Sequence, residues 1–172
     1  YTADSISKGK TNDDFLRVIN TNYAWARGYT GKGSTILIID TGINANHSEF
    51  KNSILYTKSF VKNDATITDN VGHGSGLAGI AAGNWDGIGM AGVAPDANLA
   101  IAKVTNTTSY NFVESRNALV WGNSIGAVVA NISANITYDT GYMKNWTRTT
   151  DGSWYNKDCL LYTSPSPRDA TL

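Results

Sequence analysis

The run Ser34-Thr35-Ile36-Leu37-Ile38-Ile39 limits what this chain can fold into more than any other segment. From Ile36 to Ile39 neither alternate position is polar, so a strand here must be covered on both faces, as the strands of parallel sheets are. Thr41-Gly42 ends it at a turn. Two further strand candidates follow, 99–104 and 127–132. Between the strands lie two helical segments: 73–82, built of Gly, Ala, Leu and Ile, and 111–123, whose apolar side is expected to carry Val113, Leu119, Val120 and Trp121. Strands alternating with helices at this spacing imply right-handed crossovers. The expected fold class is α/β, a three-layer α/β/α arrangement around a mostly parallel sheet.

The rest of the chain is less regular. Residues 11–27 fit short amphipathic turns broken by Asn, 49–61 is ambiguous with weak alternation through Ile54, Tyr56 and Phe60, and 62–71 reads as a polar loop. Segment 138–157 mixes Trp, Tyr, Thr, Gly and Asp without a period and reads as a long surface loop or insertion. Two of the three prolines fall at Pro165 and Pro167, where the chain must be extended.

Composition removes several classes of function. Fourteen basic side chains balance fourteen acidic ones with no run of like charge, which argues against a nucleic acid or a membrane surface as partner. The apolar stretches fall well short of the roughly 20 residues needed to span a bilayer. The one cysteine, Cys159, excludes an internal disulfide and a zinc site built from several cysteines.

Functional groups of open α/β sheets collect at the carboxyl ends of the strands, which is where Asp40 falls. His73, between Gly72 and Gly74, opens the small-residue helix with little steric cover. An imidazole there can take up a proton on one nitrogen while the other donates to a carboxylate. Taken singly, Asp40 also reads as a turn former and His73 as a capping residue. The segment Gly74-Ser75-Gly76-Leu77-Ala78-Gly79 satisfies the G-x-G-x-x-G pattern of dinucleotide sites. Its context argues against that reading, because it follows the polar Thr66-Ile67-Thr68-Asp69-Asn70 rather than a strand, and Asp96 precedes the next strand candidate.

The flanking residues carry a resemblance. Gly31-Lys32-Gly33 leading to Asp40-Thr41-Gly42-Ile43, then His47-Ser48-Glu49-Phe50, Gly72-His73-Gly74-Ser75-Gly76-Leu77-Ala78-Gly79, Gly89-Met90-Ala91-Gly92-Val93-Ala94-Pro95-Asp96-Ala97 and Val129-Ala130-Asn131-Ile132-Ser133 form five blocks in order. Together they resemble the subtilisin-like serine proteases, the subtilase or peptidase S8 family, over roughly 23–136. The resemblance implies a subtilisin-like α/β catalytic domain acting as a serine endopeptidase on polypeptides. His73 would be the general base and then acid, and Asp40 would orient it. Ser133, Ala134 and Asn135 would form the strand edge that pairs with an extended substrate, and His47 would belong to a structural turn.

The family pattern also has an oxyanion asparagine and a G-T-S-M-A nucleophile, and none of Ser133, Ser153, Ser164 or Ser166 has that context. The chain is therefore expected to be an incomplete catalytic domain over 1–158, inactive as written, with 159–172 a non-native tail. Ser75 replaces the usual Thr, Gly76 a larger residue, and Asn135 the usual Gly of the substrate strand. The resemblance requires no cofactor and admits calcium as a structural ion near Glu49. It implies a monomer that is secreted or held at the cell surface. A subtilase-like domain that binds peptides without cutting them, using Asn135 and the aromatic loop around Trp146, Trp154 and Tyr155, is the alternative.

Overall fold

A computed structural model describes residues 14–87 and 89–134, together with the backbone of 146–148 and 154–156. Residues 1–135 and 136–172 group as two units, and each is taken by itself.

In the first unit, β1 (Thr35–Asp40), β2 (Ile54–Ser59), β3 (Asn98–Lys103) and β4 (Val129–Asn131) form one sheet in the order β2-β3-β1-β4. Every pairing is parallel. The apolar run identified in the sequence is thus an interior strand. Side chains alternate between the faces of a strand. Ile38 therefore joins Leu99 and Ile101 beneath α3 (His73–Ala82), while Leu37 and Ile39 join Ala100 and Ala102 beneath α4 (Phe112–Ser124). Ile38 and Ile39 are fully buried, each contributing roughly 1.5–3 kcal/mol relative to exposure. Helices on both faces make this the three-layer α/β/α fold expected.

Two short helices, α1 (Asp14–Val18) and α2 (Thr21–Ala26), precede the sheet. Leu16 and Trp25 pack with Ala91 in a separate cluster, and the Trp25 indole N–H donates to the Val93 carbonyl at 2.9 Å.

Three segments differ from the sequence expectation. The helix over 111–123 forms, but Val113, Leu119 and Val120 are exposed and its buried residues are Ala118 and Gly122. Gly122 lies so close to Leu37 that a Cβ there would run into the leucine side chain. The helix docks through Ala118 and Gly122 and, as expected, through Trp121, which packs against the same cluster, while Val113, Leu119 and Val120 are exposed. The ambiguous stretch 49–61 contains a 3-10 turn at Ser48–Phe50 and the edge strand β2. Its alternation is weak because most of β2 faces solvent on both sides. Within the expected loop 138–157, β5 (Trp146–Arg148) pairs antiparallel with β6 (Trp154–Asn156). Strands of three residues are too short to show a period. The expected tail 159–172 lies outside the described residues.

Candidate active site

Asp40 is the last residue of β1, opposite Lys103 in the register of β3. Its side chain is inaccessible, and Oδ1 accepts from the Thr41 backbone N–H at 2.8 Å. His73 is the first residue of α3, and its Nδ1 lies 2.8 Å from the same Oδ1. The imidazole is about half exposed, at 45%. A buried acceptor on Nδ1 selects the tautomer with the proton there, which leaves Nε2 as the free base.

The backbone makes this approach by omitting side chains. A Cβ on Gly74 would strike the Gly42 carbonyl oxygen, and one on Gly42, at φ 112°, would strike the Ile67 carbonyl oxygen. Glycine on either side of the contact lets the helix start rest on the end of β1.

Asp69, which the sequence reading left inside a polar loop, ties the two together. Its Oδ1 accepts from the Thr41 hydroxyl and Gly72 N–H, both at 2.8 Å, and from Val71 N–H at 3.1 Å. Its Oδ2 accepts from the Ser75 N–H at 2.8 Å and the Ser75 hydroxyl at 2.6 Å. Burial pushes the Asp69 carboxyl up, but the bonds from Ser75, Gly72 and Thr41 outweigh it and hold the pKa at about 2. Thr41 Oγ1 in turn accepts from Gly74 N–H at 2.9 Å, and Ser75 Oγ accepts from Asn44 N–H at 2.9 Å. Residues flanking the aspartate are thereby bonded to residues flanking the histidine. The only sequence signal for Asp69 was an acidic residue shortly before a helix that begins Gly-His-Gly.

Behind this loop, the buried Lys103 ammonium donates to the Thr68 carbonyl at 2.7 Å and pairs with Asp64 at 3.2 Å. Hydrogen bonds from Thr66 and Asn106, and then from Lys103, hold the Asp64 carboxyl well below the ordinary range.

A cleft of about 190 Å³ opens beside His73, lined by Thr41, His73, Thr108, Tyr110 and Ser133. Ser133, two residues beyond the end of β4, lines this cleft, and its hydroxyl accepts from the Asn131 side-chain amide at 3.1 Å. Ala134 follows it, half-buried. Asn135 lies outside the described residues. His47 is elsewhere: its Nδ1 accepts from Glu49 N–H at 3.3 Å and caps the 3-10 turn.

The dinucleotide pattern has a structural explanation of another kind. The N–H groups of Gly74 and Ser75, which would cradle a phosphate, are bonded to Thr41 and Asp69. The segment preceding the helix is a loop.

At the end of a parallel strand, a buried carboxylate thus holds the Nδ1 of a half-exposed histidine that opens a helix of small residues. The chain belongs to the subtilase family, whose sequence profile matches residues 31–164. It is 40% identical to the major intracellular serine protease of Bacillus subtilis (strain 168) over 93 residues, 52% of this chain and 29% of that protein. It is 41% identical to the extracellular serine protease of Serratia marcescens over 102 residues, covering 56% and 10% respectively. With subtilisin DY of Bacillus licheniformis it shares 34% identity over 121 residues, covering 69% and 43%. The chain therefore spans less than half the length of each of these relatives. Their names include both an intracellular and an extracellular protease, so membership of the family does not fix the compartment. Among the described residues, no helix is long and apolar enough to cross a membrane.

Proposed function

We propose that this chain carries the Asp–His part of a serine endopeptidase of the subtilisin type, and that peptide bonds are cleaved by the whole protein through an Asp–His–Ser triad. The observation that carries the reading is the 2.8 Å contact between His73 Nδ1 and the buried Asp40 Oδ1. In the reaction, His73 Nε2 takes the proton of the serine hydroxyl as its oxygen bonds to the scissile carbonyl carbon. The C–N bond then breaks, and Nε2 returns that proton to the departing amine. Asp40 holds the imidazole in position and stabilises it while it is charged. Ser133, Ala134 and Asn135 would pair with the substrate backbone as an added strand.

None of the chain's serines stands in the G-T-S-M-A sequence context of the family's nucleophile, and on this reading the 172 residues alone do not cleave peptides. A serine-directed phosphonate should label the whole protein and abolish its peptidase activity, while leaving the purified 172-residue chain unlabelled. Labelling of that chain would overturn the second half of the proposal. A whole protein that neither hydrolyses denatured protein substrates nor reacts would overturn the first and favour the peptide-binding alternative.

Calcium fits as a structural ion in one respect. Glu49 is buried, its Oε1 accepts from Met90 N–H at 3.3 Å, and Oε2 has no hydrogen-bond partner among the described residues. Burial pushes its carboxyl above the ordinary 4.5, and a cation at Oε2 would reverse that cost. Glu49 is the side chain that would hold the ion. No cluster of three metal-binding side chains occurs among the described residues, so carbonyl oxygens would complete the shell, as calcium accepts.

A further inference from the structure

We propose that Tyr110 is a positioning residue for the Asp40–His73 pair, its hydroxyl lying on the Nδ1 side of the imidazole and completing a three-residue hydrogen-bonded group with the carboxylate. The inference rests on the reading of Asp40 and His73 as a charge relay.

Tyr110 Oη stands 3.3 Å from His73 Nδ1, and Asp40 Oδ1 stands 2.8 Å from the same nitrogen. With the proton on Nδ1, the nitrogen donates its shorter bond to Asp40 and leans toward the phenol oxygen as a second, weaker acceptor. The phenol cannot donate back to a nitrogen that already bears a proton, so its own O–H needs another acceptor. The carboxylate of Asp40 is at hand, and its Oδ2 is buried with no hydrogen-bond partner among the described residues. An unmade bond at such an oxygen is costly, and a phenol proton turned from Nδ1 toward the carboxylate would lower that cost. Burial, followed by the neighbouring Asp40 carboxylate and then the charge of Asp69, pushes the phenol above its ordinary 10.0.

The side chain is held from both directions along the backbone. Before it, the Thr105 hydroxyl donates to the Ser109 carbonyl at 2.7 Å and accepts from Thr107 N–H at 3.1 Å, while the Thr107 hydroxyl accepts from Ser109 N–H at 3.1 Å. These local bonds set the loop without help from the sheet. After it, Asn111 caps α4 by accepting from Val113 N–H at 2.9 Å. The ring packs at the margin of the core beneath α4. A phenol fixed this way keeps water off the Asp40–His73 contact and restrains the imidazole plane, and it leaves Nε2 free on the far side of the ring. The other charged groups nearby are already committed: Asp69 to Thr41, Gly72 and Ser75, and Lys103 to Thr68 and Asp64.

The test is proton and nitrogen NMR of the 172-residue chain, with Tyr110→Phe as the isosteric variant and Asp40→Asn as the control. In the wild type the His73 Nδ1 proton should be seen at low field. In Tyr110→Phe it should move further downfield, because Asp40 becomes a stronger acceptor once the phenol no longer shares its charge. It should also exchange with water about fivefold to tenfold faster, the scale expected for one lost hydrogen bond. A resonance and exchange rate unchanged in Tyr110→Phe would overturn the proposal while leaving the relay intact. A resonance that survives Asp40→Asn would overturn the relay itself, so the two failures are distinct. A second readout keeps the hydroxyl: with carbon-13 at Tyr110 Cζ, the phenol titration midpoint should fall in Asp40→Asn, and an unmoved midpoint also overturns the proposal.

Discussion

The Thr41 hydroxyl donates to Asp69 Oδ1 at 2.8 Å and accepts from the Gly74 N–H at 2.9 Å, so one side chain links the loop to the helix that carries His73. Thr41 is next to Asp40 in sequence, and Gly74 is next to His73. The hydroxyl is therefore a mechanical tie across the relay. Replacing it by an isosteric methyl leaves the buried Gly74 N–H without its acceptor and removes one of the three donors to Asp69 Oδ1. Thr41→Val should cost about 1–3 kcal/mol of stability, read as a lower urea midpoint with an unchanged slope. A midpoint equal to the wild type would show that water replaces the tie without loss.

Asp69 gives the chain an acid-side dependence whose sign can be worked out. Its folded pKa of about 2 lies below the ordinary 3.8, so the carboxylate is favoured in the folded state. The associated stability is fully present above the ordinary value and disappears as pH falls toward 2. Asp69→Asn should be less stable than the wild type at neutral pH, and the gap should narrow as the pH is lowered from 4 toward 2. Parallel stability curves across that range would mean that Asp69 is not the group responsible.

Lys103 is fully buried at the end of β3, with its ammonium on the Thr68 carbonyl and Asp64. Lys103→Met keeps most of the volume and removes the charge. The Thr68 carbonyl then loses a charged donor, which should destabilise the fold by about 1–3 kcal/mol. Faster amide exchange should follow across 64–69, the loop that places Asp69. Exchange confined to β3 instead would place the lysine's role in the strand.

Gly74→Ala puts a methyl group against the Gly42 carbonyl. The helix start must then move off β1, and overpacking of this kind costs about 1–3 kcal/mol. The larger effect should be on the relay: the low-field Nδ1 proton of His73 should vanish while the helical content stays near wild type. A retained resonance would show that the approach of the two backbones is not what holds the pair together.

Much of this arrangement was legible in the sequence. Ile36 to Ile39 announced an interior strand because all of them are apolar, and Asp40 with His73 stood out by their places at a strand end and a helix start inside blocks that resemble the subtilases. Asp69 and Tyr110 were not legible. Their roles depend on where the loops 62–71 and 104–111 fall in space, and no periodicity reports that. On α4 Trp121 packs on the core as expected, but size also ranks Leu119 and Val120 above Gly122, and the distance to Leu37 admits only the glycine. Ser133 came from the resemblance and lies on the cleft.

The most direct test of the relay is the turnover of the whole protein on a peptide substrate, measured for His73→Ala, Asp40→Asn and the two combined. Groups that act as one unit are not additive. His73→Ala should lower kcat by about 10⁴- to 10⁶-fold, Asp40→Asn by about 10⁴-fold, and the double variant should be no slower than His73→Ala alone. Losses that multiply in the double variant, or a His73→Ala enzyme within tenfold of wild type, would contradict the assignment of Asp40 and His73 as partners in one proton relay.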